Sequence, residues 1–240
     1  MLQCVTSSKG RIEIKEFPTG FGMTMIQNAL KIIEEYDLGN MVCWILENNP
    51  AQALPYHNFT HSLWVASNAY EAFRFDTNGS APPRELIVAA LFHDFDHSGG
   101  FFKNDSKNLE RALTGYKKWV SEQNGVQCPA ENQVEFLISE TLQPLAELRG
   151  NFRDDARYCL MAHSLRDGDM MQNCNDTLLD NFVGVKNEMS RHDSYQEWTN
   201  TALHFLRSIK YETKYGQDIG IKKLQVAIEQ LERFQKLVFG

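Results

Sequence analysis

Residues 86–100 read Leu-Ile-Val-Ala-Ala-Leu-Phe-His-Asp-Phe-Asp-His-Ser-Gly-Gly, an apolar run that ends abruptly in a charged motif. The apolar residues at 86–92 predict a helix that is buried on all sides. His93 and Asp94 come directly after this run, and His97 follows four residues after His93. An unpaired carboxylate buried at the end of a core helix costs several kcal/mol, and a bound cation removes that cost. The stretch therefore predicts a metal site at the carboxyl end of a core helix.

A second pair of histidines lies upstream, in Tyr56-His57-Asn58-Phe59-Thr60-His61. We expect the chain from 55 to about 73 to be helical. Positions four apart share one face of a helix, so both imidazoles are predicted to point the same way. A later stretch, Leu165-Arg166-Asp167-Gly168-Asp169-Met170-Met171-Gln172, supplies carboxylates at the end of another apolar helix. Imidazole nitrogens and carboxylate oxygens together suit Zn²⁺, Mn²⁺, Fe²⁺ or Ni²⁺, with Mg²⁺ or Ca²⁺ taking an oxygen-rich half-site.

The composition is that of a globular protein, and it restricts the partners. Of the 240 residues, 42% are apolar and 23% are charged, so we expect one well-packed domain. The net charge of −7 argues against extended binding of nucleic acid or of anionic membranes. The five cysteines are widely spaced, and no apolar run reaches the roughly 18–20 residues of a membrane span. We therefore expect reduced thiols and a cytoplasmic protein.

The hydrophobic pattern predicts an all-α domain over residues 23–240, preceded by an extension over 1–22. Ser7-Ser8-Lys9-Gly10 is a turn signal, and isoleucines alternate with charged residues after it, which predicts a short β-hairpin. From residue 23 onward, apolar residues recur every three or four positions. Further helices are predicted at 41–47, 105–121, 130–148, 154–166, 175–188, 194–210 and 219–238. The last of these can pack on the domain or against a second copy in a homodimer.

The histidine motifs resemble those of a known superfamily. The order His, then His-Asp, then a distant Asp is similar to that of the HD-domain metal-dependent phosphohydrolases. More narrowly, Tyr-His-Asn-x-x-His at 56–61 and His-Asp-x-Asp-His-x-Gly at 93–99 resemble signatures of the catalytic domains of 3′,5′-cyclic-nucleotide phosphodiesterases. Asn-Asp-x-x-x-Leu-Glu at 104–110 resembles a third motif of these enzymes. The resemblance covers roughly residues 55–172, and it implies an HD-domain, phosphodiesterase-like helical bundle.

The same resemblance implies a set of metal ligands. A first, tightly bound metal (Zn, Mn, Fe, Co or Ni) would be held by His61, His93, Asp94 and Asp169. Asp94 would also bridge to a second metal, Mg or Mn, which is otherwise surrounded by water. Asp169 is preferred to Asp167 because the ligand in such domains follows a small residue and precedes an apolar one, as in Gly168-Asp169-Met170.

Other residues receive roles around these metals. His57 would be the general acid that protonates the leaving alkoxide. His97 and Glu110 would orient the waters of the second metal. Gln172 and His163 are candidates for contact with the substrate.

The function implied is hydrolysis of a phosphoester of a nucleotide, foremost a cyclic nucleotide, by a hydroxide that bridges the two metals. The expected partner is therefore a small nucleotide. Three alternatives stay open: an HD-type 5′-nucleotidase or deoxynucleotide phosphohydrolase, a di-iron HD oxygenase, and a nucleotide-binding module without catalysis.

Overall fold

The structure is a computed structural model that describes residues 3–6, 12–15, 23–102, 104–123, 130–142, 154–174, 178–189 and 192–240. Apart from one β-hairpin, the regular structure of these residues is helical, which confirms the all-α prediction. The helices are α1 (Met23–Glu35), α2 (Gly39–Asn48), α3 (Phe59–Asp76), α4 (Arg84–Phe92), α5 (Ser106–Glu122), α6 (Glu131–Ser139), α7 (Ala156–Gln172), α8 (Leu178–Met189), α9 (Tyr195–Ser208) and α10 (Ile221–Phe239). A 3-10 helix at Pro50–Ala53 follows α2, and a π-helical segment at Gly216–Gly220 precedes α10.

Helix α4 lies at the centre of the larger apolar core. All of its residues from Leu86 to Phe92 are buried, as the uninterrupted apolar run predicts. It packs against α3, α5, α6 and α7, so its carboxyl end opens toward the interior and not toward bulk water. The His-Asp motif that follows α4 is therefore delivered to a largely buried position.

Helices α3 and α7 approach each other unusually closely, and a glycine makes the contact. A Cβ atom at Gly168 would lie 2.8 Å from the backbone nitrogen of Ala69 and 3.0 Å from the backbone oxygen of Val65. The side chain of Asn68 also donates to the backbone oxygen of Gly168 at 3.1 Å. Because only glycine allows this approach, the next residue of α7, Asp169, is held against the helix that carries His61.

The second half of α7 also belongs to a smaller apolar core, shared with α8, α9 and α10. On this side Asp167 accepts hydrogen bonds from the backbone nitrogens of Glu212 and Thr213 and from the hydroxyl of Thr213, at 2.6–3.1 Å. Asp167 therefore fastens the segment before α10 to α7.

The hairpin and several helix boundaries were predicted with different success. Strands β1 (Gln3–Thr6) and β2 (Ile12–Lys15) pair antiparallel, which confirms the hairpin, while its turn at 7–10 lies outside the described residues.

Helix α6 ends at Ser139 and not at 148, because Glu140 turns to bind Arg166 with its backbone oxygen and its carboxylate. Helix α7 continues to Gln172 and not only to 166, because residues 167 and 168 are buried and satisfied inside it.

Two further expectations concern the thiols and membranes. Cys159 and Cys174 are free thiols, as predicted. The prediction of reduced thiols is wrong at Cys43, a half-buried residue of α2 that is disulfide-bonded. Within the described part of the chain, no helix is both long and apolar enough to cross a membrane.

Candidate metal centre

Four ligand-type side chains from three helical regions converge beside the end of α4. The Nε2 atoms of His61 on α3 and His93 after α4 lie 3.1 Å apart. The Asp94 carboxylate lies 3.0 Å from the first of these nitrogens and 3.3 Å from the second. The Asp169 carboxylate of α7 lies 3.4 Å and 3.9 Å from the same two atoms. The structure thus brings together the four residues that the sequence predicts as ligands of the first metal.

A hydrogen bond to the backbone orients the ring of His93 toward this cluster. Its Nδ1 lies 2.8 Å from the backbone oxygen of Ala90, and a carbonyl oxygen only accepts, so Nδ1 carries the proton. In the neutral ring the lone pair is then on Nε2, the atom that faces the carboxylates. A ring nitrogen held this way by a backbone carbonyl is the usual arrangement for a metal-ligating histidine.

The charges of the cluster favour the binding of a cation. Burial by itself lowers the pKa of His61, but the hydrogen bonds that its ring donates to Asp169 and Asp94 outweigh burial and raise that pKa to about 10. Burial likewise opposes ionisation of Asp94, yet the neighbouring histidines hold its pKa well below the usual range. The two imidazoles beside these carboxylates therefore hold protons strongly, and a divalent cation can replace those protons. Nitrogen and oxygen donors in this ratio fit a first-row transition metal or zinc.

A second group, formed by His57, Glu188 and His97, lies next to the first. The Nδ1 atom of His57 donates to a carboxylate oxygen of Glu188 at 2.5 Å, and the other oxygen accepts from the backbone nitrogens of Tyr56 and His57. The ring of His57 stacks on that of His97 with centroids 3.7 Å apart. Because Glu188 fixes the proton on Nδ1, the Nε2 atom of His57 is the one that can exchange a proton with a ligand.

His57 reaches this position from a bend and not from a helix, so the predicted shared helical face with His61 is wrong. Helix α3 begins at Phe59, and Asn58 caps it by accepting from the backbone nitrogen of Thr60 at 2.9 Å. A residue before an N-cap does not follow helical periodicity. The two histidines nevertheless lie close, with ring centroids 5.6 Å apart.

Glu188 is the functional candidate that sequence reasoning missed. It lies 131 residues from His57, on the amphipathic helix α8, and its side chain is fully buried. Burial alone raises the pKa of Glu188, but hydrogen bonds from His57 and the backbone bring that pKa below its usual range. A single glutamate in a helix carries no local signal of such a contact.

The structure brings His97 to the second group, whereas Glu110 stays on the surface of α5. His97 is buried, and its Nε2 atom lies 3.0 Å from the side-chain nitrogen of Asn108. Glu110 is exposed on α5, and no hydrogen bond or ion pair within the described ranges joins it to His97. Helix α5 instead turns Asn108 and Arg111, three residues apart, toward the motif that contains His97.

Of the two candidates for substrate contact on α7, His163 lies away from the cluster, whereas Gln172 keeps an unpaired polar atom among the residues described. His163 lies 3.5 Å from the carboxylate of Glu212, beside Arg166, so the structure does not bring it to the cluster. Six positions along a helix correspond to about 240° of rotation, which turns His163 away from Asp169. Gln172 follows Asp169 by three residues and is buried. Its side-chain oxygen has no hydrogen-bond partner among the residues described, so Gln172 is still available as a substrate contact.

We expect His97 to make the stability of the cation-free protein depend on pH. Burial and the nearby positive charge of His57 lower the pKa of His97 from 6.5 to about 4. Between these values the unfolded chain binds a proton that the folded chain does not. The free energy of unfolding therefore decreases as pH falls through this window, by at most about 3 kcal/mol. Urea titrations at pH 4.5 and 7 should show a smaller pH difference for His97→Gln than for wild type. The exposed-residue control His204→Gln should keep the wild-type difference, and an unchanged difference in His97→Gln would contradict the prediction.

No protein-family model matches this chain, and no curated protein matches it significantly in sequence. The assignment of function therefore depends on the chemistry of the site.

Proposed function

We propose that this protein is a metal-dependent phosphohydrolase that hydrolyses a phosphoester bond of a nucleotide, with a 3′,5′-cyclic nucleotide as the foremost substrate. One observation carries the proposal: a four-residue nitrogen and oxygen donor set lies directly beside a histidine that a buried glutamate holds. The first group suits divalent cations, and the second suits proton transfer to a leaving group.

His61, His93, Asp94 and Asp169 would hold the first cation, and Asp94 would be shared with a second. When bound, the cations would lower the pKa of a water toward about 7 and offset the charge of the phosphoryl oxygens. The protein itself contributes the arrangement of these donors and a largely buried setting. In that setting charge interactions are stronger than in water.

His57 would deliver a proton to the departing oxygen. Glu188 holds the Nδ1 proton, so a second proton on Nε2 is the one available for donation. The buried carboxylate stabilises the imidazolium and keeps the ring in one orientation. General-acid catalysis of this kind contributes about 10²–10⁴-fold to the rate. An alkoxide leaving group, such as the ribose oxygen released when a cyclic phosphate opens, needs this proton.

A panel of nucleotides tests the proposal. Protein loaded separately with Mn²⁺, Mg²⁺, Zn²⁺, Co²⁺ or Fe²⁺ would be incubated with 3′,5′-cyclic mononucleotides, cyclic dinucleotides, 5′-monophosphates, deoxynucleoside triphosphates and bis(p-nitrophenyl) phosphate. Opening of a cyclic phosphate is the expected result. Release of inorganic phosphate or triphosphate would assign a nucleotidase instead. No hydrolysis of any ester by cation-loaded protein would refute the proposal.

Substitution of Asp169 should affect metal binding, whereas substitution of Asp167 should affect the stability of the fold. The two carboxylates lie two residues apart on α7, but only Asp169 faces His61, whereas Asp167 binds Thr213. We expect Asp169→Asn to lose most of the bound cation and at least about 100-fold in hydrolysis. Asp167→Asn should retain the cation and lose about 1–3 kcal/mol of stability, because the amide cannot accept all the hydrogen bonds of the carboxylate. Metal analysis and urea denaturation of both variants check this, and cation loss in Asp167→Asn alone would exchange the two roles.

We propose Phe101 as the aromatic residue that stacks on the base of the nucleotide. It is 82% exposed four residues after His97, whereas Phe102 is occupied by contacts with Lys107 and Arg111. Stacking is worth about 0.5–1.5 kcal/mol, so Phe101→Ala should raise KM for the nucleotide about 3–10-fold with little change in kcat. The matched control is Phe75→Ala, which removes another exposed ring on α3 and should leave KM unchanged. Equal KM values for Phe101→Ala and wild type would exclude the stacking role.

A further inference from the structure

One buried amide oxygen joins two segments that lead to the two groups of the site. Asn49, which is 7% exposed, ends α2 and caps the following 3-10 helix. Its Oδ1 atom accepts from the backbone nitrogen of Ala51 at 3.0 Å, which is an ordinary cap. The same oxygen also accepts from the backbone nitrogen of Asp96 at 2.8 Å, 47 residues away.

Asp96 occupies a backbone conformation that needs support. Its φ of 58° is in the left-handed region, which non-glycine residues seldom adopt. The Asp96 carboxylate forms a two-pronged pair with the guanidinium of Arg111, at 2.9 Å and 2.5 Å. Asn49 from one side and Arg111 from the other thus hold the left-handed residue.

The left-handed residue lies between the two functional groups. Asp94, two residues before it, joins the metal cluster, and His97, one residue after it, stacks on His57. The turn therefore sets how the metal ligands and the stacked histidines lie relative to each other. Relaxation of Asp96 toward an ordinary conformation would turn His97 and Asp94 relative to one another.

The segment that starts at Asn49 continues directly to His57. It passes through the 3-10 helix and then through Leu54, whose side chain packs against Gly99, so closely that a Cβ there would lie 2.7 Å from it. The segment before His57 and the turn after Asp94 therefore touch at two places, at Asn49 and at Leu54.

We propose that Asn49 is a positioning residue that fixes the general acid His57 relative to the metal-binding turn through its bond to Asp96. The inference rests on the proposed function, since it assigns Asn49 a part in proton delivery. Among the described residues the side-chain oxygen of Asn49 bonds to Ala51 and Asp96 and to none of the four donor residues, so its loss should leave cation binding intact. The loss should instead slow the departure of leaving groups that need a proton.

Substitutions of Asn49 distinguish its two hydrogen bonds, the cap that it forms with Ala51 and the clamp that it forms with Asp96. Asn49→Ser keeps an N-cap oxygen for Ala51, but its side chain is one atom shorter and cannot also reach Asp96. Asn49→Asp keeps an acceptor oxygen at the same distance and should behave as wild type. Asn48→Ala is the matched control, because the neighbouring asparagine bonds to Trp44 and Lys118 and not to the turn.

The first measurement needs neither a cation nor a substrate. Amide hydrogen exchange at Asp96, followed by NMR in cation-free protein, should be about tenfold faster in Asn49→Ser than in wild type. Asn49→Asp and Asn48→Ala should exchange at the wild-type rate. Unchanged exchange at Asp96 in Asn49→Ser would overturn the clamp.

The second measurement distinguishes positioning from general support of the fold. Bis(p-nitrophenyl) phosphate releases a stable anion that leaves without a proton, whereas a cyclic nucleotide releases an alkoxide. In Asn49→Ser, kcat for the cyclic nucleotide should fall about tenfold and kcat for the nitrophenyl ester less than twofold, with rescue by Asn49→Asp. Equal losses on both substrates would overturn the positioning role. A wild-type protein inactive on every ester would instead refute the proposed function, and Asp96 exchange would still decide whether the clamp exists.

Discussion

Asp94→Ala is expected to abolish hydrolysis, with a loss of at least about 10³-fold, and to leave the purified protein without its tightly bound cation. Asp94 is the acidic residue closest to both imidazoles, with oxygen–nitrogen distances of 3.0 Å and 3.3 Å. Its removal leaves two buried imidazoles and a single carboxylate, a donor set with one ligand too few for a closed four-coordinate site. If Asp94 also bridges a second cation, both ions are lost together.

Metal content by mass spectrometry and hydrolysis of bis(p-nitrophenyl) phosphate measure the two effects separately. Asp180→Ala removes the same charge from an exposed position on α8 and should change neither quantity. The cation should also raise the melting temperature of wild type but not of Asp94→Ala, since only a protein with an intact site gains stability from the ligand. Retention of a tightly bound cation by Asp94→Ala would contradict the assignment of the cluster as its site.

The donor cluster was predictable because its members carry local signals. His93 and Asp94 stand at the end of an apolar run that is buried, and the cost of burying a carboxylate there already indicates a cation. His61 belongs to a compact histidine motif, and the residues that flank Asp169 distinguish it from Asp167. The structure brings these four residues within 4 Å of one another at their nearest atoms.

The remainder of the site depends on contacts between distant segments, which sequence spacing does not encode. Glu188 reaches His57 across 131 residues, and Asn49 reaches Asp96 across 47. Both side chains come from segments without a recognisable motif. The structure brings neither Glu110 nor His163 to the donor cluster for a related reason, since the rotation of a helix about its axis is set by packing. A motif that places a residue on a helix does not determine which way that helix faces.

His57→Gln is expected to lower kcat for a cyclic nucleotide by about 10²–10⁴-fold, while hydrolysis of bis(p-nitrophenyl) phosphate falls less than tenfold. Only the cyclic substrate releases an alkoxide that needs the Nε2 proton. Glu188→Gln, which keeps the shape but removes the charge, should lower kcat for the cyclic substrate about 10–100-fold. The control is the exposed His204→Gln. Equal losses on both esters in His57→Gln would remove His57 as the proton donor and leave the cluster with hydrolysis by the cations alone.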